Sequence, residues 1–399
     1  MHIRRLDIQN FRAIGKLPIR FEDGMGRFRP ITVISGPNGC GKTSILVAIV
    51  QALRGAMRLR IPDLQFPSDL DLHRAELSGI RPVTATVEMD LEYDQSELQA
   101  IRGAFQATAG DRQKAGKRPL DPPPLPDGRL TVQWQYPPRV LRDGSDASVF
   151  DLRSKPDFGA AWLAGFSNVW GAWKNGALND ITKTYQVGGL RRFPQDREGR
   201  WGVDFEENDE QTSPPYVDDP LVATRNGEPG EHTVVDSLEK LWRFRYDAGL
   251  AETDDRRQWE AVLQKRFGDI CTPKSYKGFH GDHPRYGKSP ILADGPREYP
   301  YSRASGGERV ILDYLIQLTF PHPVRNSIIL IDEPELHLHP RWMRQLFQLF
   351  AQSAKPIEQG GDNNQFILTT HSPELRQLAA GQNALIDLGD LGGEGVHAG

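Results

Sequence analysis

One stretch decides the fold of this chain: Gly36-Pro-Asn-Gly-Cys-Gly-Lys42-Thr43. It matches the pattern G-x-x-x-x-G-K-[ST], with a β-branched run at residues 30–34 before it and apolar residues at helical spacing from Thr43 to about Arg60. Glycines let successive backbone N–H groups face phosphate oxygens, and the helix N-terminus adds its positive dipole end. The residues predicted to bind phosphates are Gly36, Pro37, Asn38, Gly39, Cys40, Gly41, Lys42, Thr43 and Ser44.

A second motif, Ser327-Ile-Ile-Leu-Ile-Asp332-Glu333, predicts the other half of this site. A continuous apolar strand that ends in two carboxylates places them where a buried sheet opens to solvent. Asp332 and the hydroxyl of Thr43 are oxygen ligands that suit Mg²⁺, which binds through few protein groups plus a nucleotide. Glu333 is the candidate base that orients and deprotonates an attacking water.

A third motif, Ser302-Arg-Ala-Ser305-Gly306-Gly307-Glu308-Arg309, precedes a helical pattern. A hydroxyl, two glycines and a helix N-terminus form a second anion cradle. The same residues fit a capping box, in which Glu308 closes on the N-cap Ser305. The two interpretations are compatible.

The rest of the chain predicts elements around these motifs. Residues 3–11 suggest an opening strand, and residues 83–91 and 130–136 alternate like half-buried strands of an antiparallel sheet. Residues 116–138 are proline-rich and indicate a loop, whereas residues 234–267 indicate a helix that precedes a Gly-, Pro- and His-rich loop. Near the end, buried strands are predicted at 327–331, 366–370 and 384–388, with helices that open at Ser305 and Pro340.

Composition excludes several classes of protein. The net charge of −4 excludes a histone-like polycation, and no stretch has the roughly 18 apolar residues that span a bilayer. The N-terminus lacks the continuous apolar core of a secretory signal, so we expect a cytoplasmic protein with no membrane association. Cys40 and Cys271 lie far apart and outside any structural zinc pattern, which favours a reducing compartment.

Five motifs in this order resemble an ABC-type ATPase head of the RecF, SMC and overcoming-lysogenization-defect (OLD) group. They are Ile8-x-Asn10-Phe11-Arg12, the phosphate loop, Ser305-Gly-Gly-Glu308, Asp332-Glu-Pro-Glu-Leu-His-Leu-His-Pro340 and Thr369-Thr-His371-Ser-Pro373. The last two are most similar to OLD-like AAA family ATPases, many of which act in bacterial antiphage defence. The resemblance implies an α/β fold with a mostly parallel core sheet, an antiparallel β lobe and a long mixed insertion. The expected division is 1–60 and 301–399 for the ATPase core and 61–300 for the insertion.

The resemblance also implies how the site works. ATP with Mg²⁺ would lie between two copies of the chain, with Ser305, Gly306 and Gly307 of one copy on the γ-phosphate held by the other. His371 would sense that phosphate, and Arg12 would reach the phosphates of its own copy. His337 and His339 would shape the loop that faces the dimer partner. The candidates for the glutamine loop of such heads are Gln186 and Gln195.

The sequence departs from its relatives in two respects. It has no sustained heptads for long coiled-coil arms, and it stops 28 residues after His371, where OLD nucleases continue into a Toprim domain. We therefore expect no nuclease activity of its own. The favoured hypothesis is an ATPase that dimerises on ATP and controls a partner effector, a nuclease or toxin, in antiphage defence.

Two other functions stay open: a RecF-like DNA repair ATPase, and a scaffold that binds ATP without much hydrolysis. A DNA surface could involve arginines beside aromatic rings, although a solvated salt-bridged face explains them equally. The stretch Phe279-His-Gly-Asp-His283 has metal-like spacing but is more simply a polar loop. The candidate DNA residues are Arg54, Arg58, Arg60, Arg191, Arg192, Phe193, Arg197, Arg200 and Trp201.

Overall fold

The structure is a computed structural model, and it describes residues 2–11, 14–46, 48, 49, 52, 84–93, 128–136, 153–155, 184–188, 254–283, 285, 287–319, 328–335 and 338–389. Its strands are β1 (His2–Phe11), β2 (Ile14–Arg20), β3 (Ile31–Ser35), β4 (Ala85–Glu92), β5 (Arg129–Tyr136), β6 (Arg153–Lys155), β7 (Thr184–Gly188), β8 (Lys274–His283), β9 (Gly287–Asp294), β10 (Arg297–Pro300), β11 (Ile328–Asp332), β12 (Gln365–Thr370) and β13 (Leu385–Asp387). Its helices are α1 (within residues 42–52), α2 (Asp254–Cys271), α3 (Gly306–Thr319), α4 (Pro340–Ser353) and α5 (Pro373–Ala380).

The central sheet is parallel and has the order β13-β3-β12-β11-β7. Every residue of β3, β11 and β12 is buried. A strand that is covered on both faces is apolar along its whole length, which explains the continuous apolar runs in the sequence. The fold is thus an α/β fold with a parallel core sheet, as predicted.

Alternate residues of these strands enter two separate hydrophobic clusters. Ile34, Leu330 and Ile367 pack with the antiparallel strands and α1, whereas Ile329 and Leu368 pack with α2 to α5. Successive side chains of a strand point to opposite faces, so one short run supplies both clusters. The phosphate loop follows β3 at the carboxyl edge of this two-sided sheet.

The β lobe is an antiparallel sheet of order β2-β1-β4-β5-β6. In β4, buried and half-buried residues alternate strictly, which confirms the predicted half-buried strand. The lobe includes the first two strands of the chain, and β7 from the expected insertion joins the parallel sheet. Both sheets therefore draw on more than one of the segments 1–60, 61–300 and 301–399, and that division stays a prediction.

A buried glutamine connects the β lobe to the parallel sheet. The side chain of Gln365, at the start of β12, accepts a hydrogen bond from the N–H of Ile3 at 2.7 Å and donates to the carbonyl of Ile3 at 2.9 Å. The β1–β4 register shifts between Ile3 and Arg5, at a bulge. The amide thus satisfies backbone groups of Ile3 that would otherwise be buried without partners.

Two loop predictions are wrong in part. The region after α2 is a three-stranded antiparallel sheet of order β10-β9-β8. Bulges at Tyr276/Gly278 and His280/His283 accommodate glycines and histidines within its strands. Gly278 lies at such a bulge with a φ of +114°. Within the proline-rich stretch 116–138, residues 129–136 form β5, which confirms the strand predicted at 130–136, and residues 116–127 and 137–138 lie outside the described residues.

The helix predictions differ from the structure mainly at their ends. α2 continues to Cys271, four residues beyond the predicted end at Phe267, and the predicted residues 234–253 lie outside the described range, as do residues 53–60 of the first helix. α3 and α4 begin at or next to the predicted positions, and each buries an apolar face; Trp342 in α4 is half-buried. Among the described residues, no helix is both long enough and apolar enough to cross a membrane.

Candidate functional site

The phosphate loop connects β3 to α1, and its glycines are required by geometry. Gly39 and Gly41 have φ angles of +78° and +91°, where L side chains are strained. A Cβ on Gly41 would lie 2.9 Å from Cγ1 of Ile14, and one on Gly36 would lie 2.8 Å from the Sγ atom of Cys40. Cys40 is buried, as expected of a small loop residue. The exposed loop residues are Pro37, Asn38 and Gly39, and Ser44 lies in the first turn of α1.

Lys42 folds back onto this loop. Its Nζ atom donates to the carbonyls of Gly36 and Pro37 at 2.9 and 2.8 Å, and it lies 3.4 Å from Nδ1 of His371. The side chain is only 5% exposed. The Sγ atom of Cys40, at 3.8 Å, is a fourth and weaker acceptor, so the three donors of the ammonium group are all satisfied. The lysine is therefore held inside the loop, next to a residue from the other end of the chain.

Asp332 lies at the carboxyl end of β11 and joins two hydroxyl groups. Thr43 Oγ1 donates to it at 3.0 Å, and Thr369 Oγ1, from the neighbouring strand β12, donates to Oδ1. The parallel register pairs Asp332 with Thr369 directly, so the contact follows from the sheet. The oxygens of Thr43 and Asp332 are the hard ligands that Mg²⁺ prefers, and they lie beside the phosphate loop. The donor set thus fits the predicted metal.

Glu333 occupies a strained backbone position directly after β11. Its φ is +51°, which is uncommon for a residue other than glycine and is found at functional sites. Its N–H donates to the carbonyl and the hydroxyl of Thr369, at 3.2 and 3.1 Å. A carboxylate oxygen lies 3.2 Å from Nε2 of His371.

The contacts of His371 define its tautomer. An ammonium group cannot accept a hydrogen bond, so Nδ1 of His371 accepts from Lys42. Nε2 then carries a proton, which it donates to Glu333. One imidazole ring therefore bridges the lysine of the phosphate loop and the candidate base.

Glu335 fixes the turn that carries His371, a role that the sequence analysis missed. Its Oε1 atom accepts from Thr370 Oγ1 at 2.7 Å and from the N–H groups of His371 and Ser372 at 2.8 and 3.1 Å. Ser372 in turn caps α5 by accepting from the N–H of Leu375 at 3.2 Å. The only sequence signal was the position of Glu335 in the quoted acidic motif. Thr369 was missed in the same way.

The third motif forms the predicted capping box at the start of α3. The N–H and hydroxyl groups of Ser305 donate to Oε2 of Glu308 at 2.7 and 2.5 Å, and the N–H of Glu308 points back to Ser305 Oγ at 3.4 Å. Ser305 and Gly306 are exposed, and Gly307 is buried. Across the described residues, no hydrogen bond or ion pair joins these three residues to Lys42, Asp332 or Glu333.

Other candidates are described in part or not at all. His339 is the N-cap of α4, where its Nδ1 accepts from the N–H of Arg341 at 3.2 Å. Gln186 lies in β7 opposite Leu330, and its side chain is outside the described part of the structure. The stretch 279–283 lies in β8, again without described side chains. The candidates outside the described residues are Arg12, His337, Gln195 and all nine DNA-surface residues.

Two family models match the chain. The first, described as "AAA domain, putative AbiEii toxin, Type IV TA system", matches residues 190–376. The second, described as "AAA domain", matches residues 5–120. The matched regions contain the phosphate loop, the capping-box motif, the acidic pair and His371.

Individual proteins are also similar. An OLD nuclease from Thermus scotoductus (strain ATCC 700910 / SA-01) is 23% identical over 384 residues, covering 93% of this chain and 59% of the relative. The retron Ec83 probable ATPase from Escherichia coli is 36% identical over 89 residues, covering 20% of this chain and 15% of the relative. This chain thus spans less than two thirds of the length of either relative. A solved Smc head bound to the C-winged helix domain of ScpA aligns with a TM-score of 0.47 and 16% identity, covering 97% of this chain and 94% of that one.

Proposed function

Because this chain is an OLD-like ATPase of the ABC type, we propose that it binds Mg²⁺ and ATP at the phosphate loop and hydrolyses ATP with Glu333 as the base. The observation that carries the proposal is the convergence of Lys42, Thr43, Asp332, Glu333 and His371, which come from both ends of the chain.

Nucleotide binding would exchange the partners of Lys42. Phosphate oxygens are charged acceptors and bind an ammonium group more strongly than the carbonyls of Gly36 and Pro37 do. Lys42 would therefore bind the β- and γ-phosphates in place of the loop carbonyls and His371. Mg²⁺ would take oxygen ligands from Thr43 and Asp332, with the remaining positions filled by the nucleotide and water, and it would neutralise phosphate charge.

Hydrolysis would use the carboxylate of Glu333. It accepts a proton from water as the water oxygen forms a bond to the γ-phosphorus, and the bond from that phosphorus to the bridging oxygen breaks with its electron pair left on ADP. His371 holds this carboxylate through Nε2–H. Once Lys42 has moved to the phosphates, Nδ1 of His371 is released, and the ring is able to respond to the γ-phosphate.

The dimer belongs to the same proposal. Ser305 and Gly306 are exposed at the N-terminus of α3, a helix of 14 residues. Among the described residues, neither has a hydrogen bond to Lys42, Asp332 or Glu333 of its own chain. We place them against the γ-phosphate held by a second copy. ATP would then join two copies, and its hydrolysis would separate them.

The biological role that we propose is control of an effector protein, a nuclease or toxin, in antiphage defence. The proposal is supported by two relatives, an OLD nuclease and a retron probable ATPase. Since the chain spans only part of each relative, the effector is proposed only as a class of protein. The alternative role in DNA repair rests on arginines outside the described residues.

The test combines ATP turnover with analytical ultracentrifugation. The wild-type chain should hydrolyse ATP only with Mg²⁺, Glu333→Gln should bind ATP and accumulate as a dimer, and Lys42→Ala should lose ATP binding. Hydrolysis by Glu333→Gln at the wild-type rate would reject Glu333 as the base. A Glu333→Gln chain that stays monomeric at saturating ATP would reject the dimer.

A further inference from the structure

We propose that Lys274 is a positioning residue for the phosphate contact made by Ser305: it neutralises and holds Glu308 so that the cradle at the start of α3 accepts the γ-phosphate of a second copy. The inference rests on the proposed ATP-dependent dimer. It assigns a role in that dimer to Lys274, which lies in the β8–β10 sheet and outside the five sequence motifs.

Glu308 is a carboxylate inside the predicted anion site. It is 2% exposed, and it lies at the third residue of α3, within the same turn as Ser305, Gly306 and Gly307. Both donors of Ser305, its N–H and its hydroxyl, point to Oε2 of Glu308. A bare negative charge in this turn would repel a phosphate and would keep the serine donors occupied.

Two residues of the β8–β10 sheet engage the other oxygen of this carboxylate. Lys274 Nζ lies 2.9 Å from Oε1, and the hydroxyl of Tyr299 donates to the same atom. Burial, together with the bond to Glu308, raises the pKa of Tyr299, which keeps its hydroxyl protonated as a donor. Of the described residues, Lys274 is the one cation paired with Glu308.

The two carboxylate oxygens of Glu308 have different partners. Oε1 is held by the sheet, and Oε2 is held by the serine. Because Lys274 compensates the charge from the side remote from Ser305, the serine hydroxyl is able to turn from Oε2 to a phosphate oxygen without leaving an uncompensated buried carboxylate. Without Lys274, Glu308 would retain the serine and present net negative charge to the incoming nucleotide.

The position of Lys274 also gives the β8–β10 sheet a role. Lys274 is the first residue of β8 and directly follows the α2 end and the Thr272–Pro273 turn, while Tyr299 lies in β10. Both strands pair with β9, so the two side chains reach Glu308 from one sheet. A shift of this sheet relative to α3 would alter the phosphate contact.

The experiment uses the full chain in the Glu333→Gln background, which should trap the ATP-bound dimer. Lys274→Ala, Lys274→Arg, Glu308→Gln and the double variant Lys274→Ala/Glu308→Gln are compared by sedimentation at increasing ATP. ATP binding to the monomer is measured separately at low protein concentration. Lys277→Ala, which removes an exposed lysine from the same strand, is the matched control.

Lys274→Ala should weaken ATP-dependent dimerisation by about tenfold, because a like charge then opposes the phosphate. Its ATP affinity as a monomer should stay within about twofold, since Lys42 lies outside this network. Lys274→Arg should restore dimerisation, and so should the double variant, because a neutral glutamine still caps Ser305. Restoration by removing the opposing charge would not occur if Lys274 only supported the fold.

Two results would overturn the inference alone: a Lys274→Ala dimer as stable as its parent, or a double variant as weak as Lys274→Ala. If the Glu333→Gln parent itself fails to dimerise with ATP, the proposed function is overturned and this inference with it. The parent measurement therefore separates the two failures.

Discussion

The Nε2 atom of His371 lies 3.2 Å from the carboxylate of Glu333, although the two residues follow different strands of the parallel sheet. On its other side, the same ring accepts from Lys42 at 3.4 Å. The candidate base and the phosphate-loop lysine are thus joined by one side chain. A ligand that removes Lys42 from His371 also changes the surroundings of Glu333.

Replacing His371 should therefore impair turnover more than binding. In His371→Ala, Glu333 loses the donor that orients its carboxylate, and we expect kcat to fall about a hundredfold, the cost of misplacing a reacting group. The affinity for ATP should change much less, because Lys42 and Thr43 remain. Equilibrium ATP binding and steady-state turnover measure the two effects separately, and a wild-type kcat would show that the contact has no role in the reaction.

Glu335 should act on the reaction through the backbone of His371. Glu335→Met removes the acceptor of two N–H groups and one hydroxyl, and it should cost about 2 kcal/mol of stability together with part of kcat. Glu335→Gln keeps an acceptor oxygen and should retain most of both. Glu358→Gln, at an exposed acid, serves as the control. If the methionine variant turned over ATP like the glutamine variant, the turn would not need Glu335.

Much of this site was predictable from sequence because its residues lie in short motifs at the ends of apolar strands. Lys42, Thr43, Asp332, Glu333 and His371 converge because parallel strands bring their carboxyl ends to one edge. Short motifs contain no information on partners that are distant in sequence.

That limit explains what the sequence analysis missed. Lys274 and Tyr299 lie in a region that was predicted as a loop because it is rich in glycine and histidine. Their contact with Glu308 depends on how β8 to β10 pack against α3. The role of Gln365 likewise depends on a bulge in β1 that no local pattern shows. Tertiary packing decided these contacts.

The two positive-φ glycines of the phosphate loop should differ in their tolerance of alanine. Gly39→Ala meets open space and should cost about 1 kcal/mol of backbone strain. Gly41→Ala adds a contact of 2.9 Å with Cγ1 of Ile14, so it should shift the loop and weaken ATP binding much more. Gly24→Ala, at a site with open space and no positive φ, is the control. ATP titration of the three variants ranks them, and equal affinities for Gly39→Ala and Gly41→Ala would contradict the crowding at Ile14.

Gln365 should matter for stability. Gln365→Leu leaves the N–H and carbonyl groups of Ile3 buried without this partner, and we expect a loss of about 3 kcal/mol in the free energy of unfolding. Gln348→Ala, at an exposed position of α4, should change it by less than about 0.5 kcal/mol. Urea denaturation measures both. Equal midpoints would mean that Ile3 finds other partners once the glutamine is gone.

Glu308 should make stability depend on pH. Burial alone would raise its pKa, but hydrogen bonds from Ser305, Tyr299 and Lys274 outweigh burial and hold the pKa of the folded state below the usual 4.5. The folded state therefore favours the ionised carboxylate. The stabilisation is fully present above about pH 4.5, the pKa of the unfolded chain, and is lost as the pH falls through the lower folded value.

Glu308→Gln cannot ionise, so the stability gap between it and the wild-type chain should be constant from about pH 7 to pH 5 and should shrink on further acidification. Urea unfolding of both proteins across this range measures the gap, and Glu358→Gln, at an exposed acid, controls for general charge effects. A gap that widened below pH 4.5 would mean that the folded state prefers the protonated acid. Lys274 would then not be compensating a charge on Glu308, because a neutral carboxyl group needs no cation beside it.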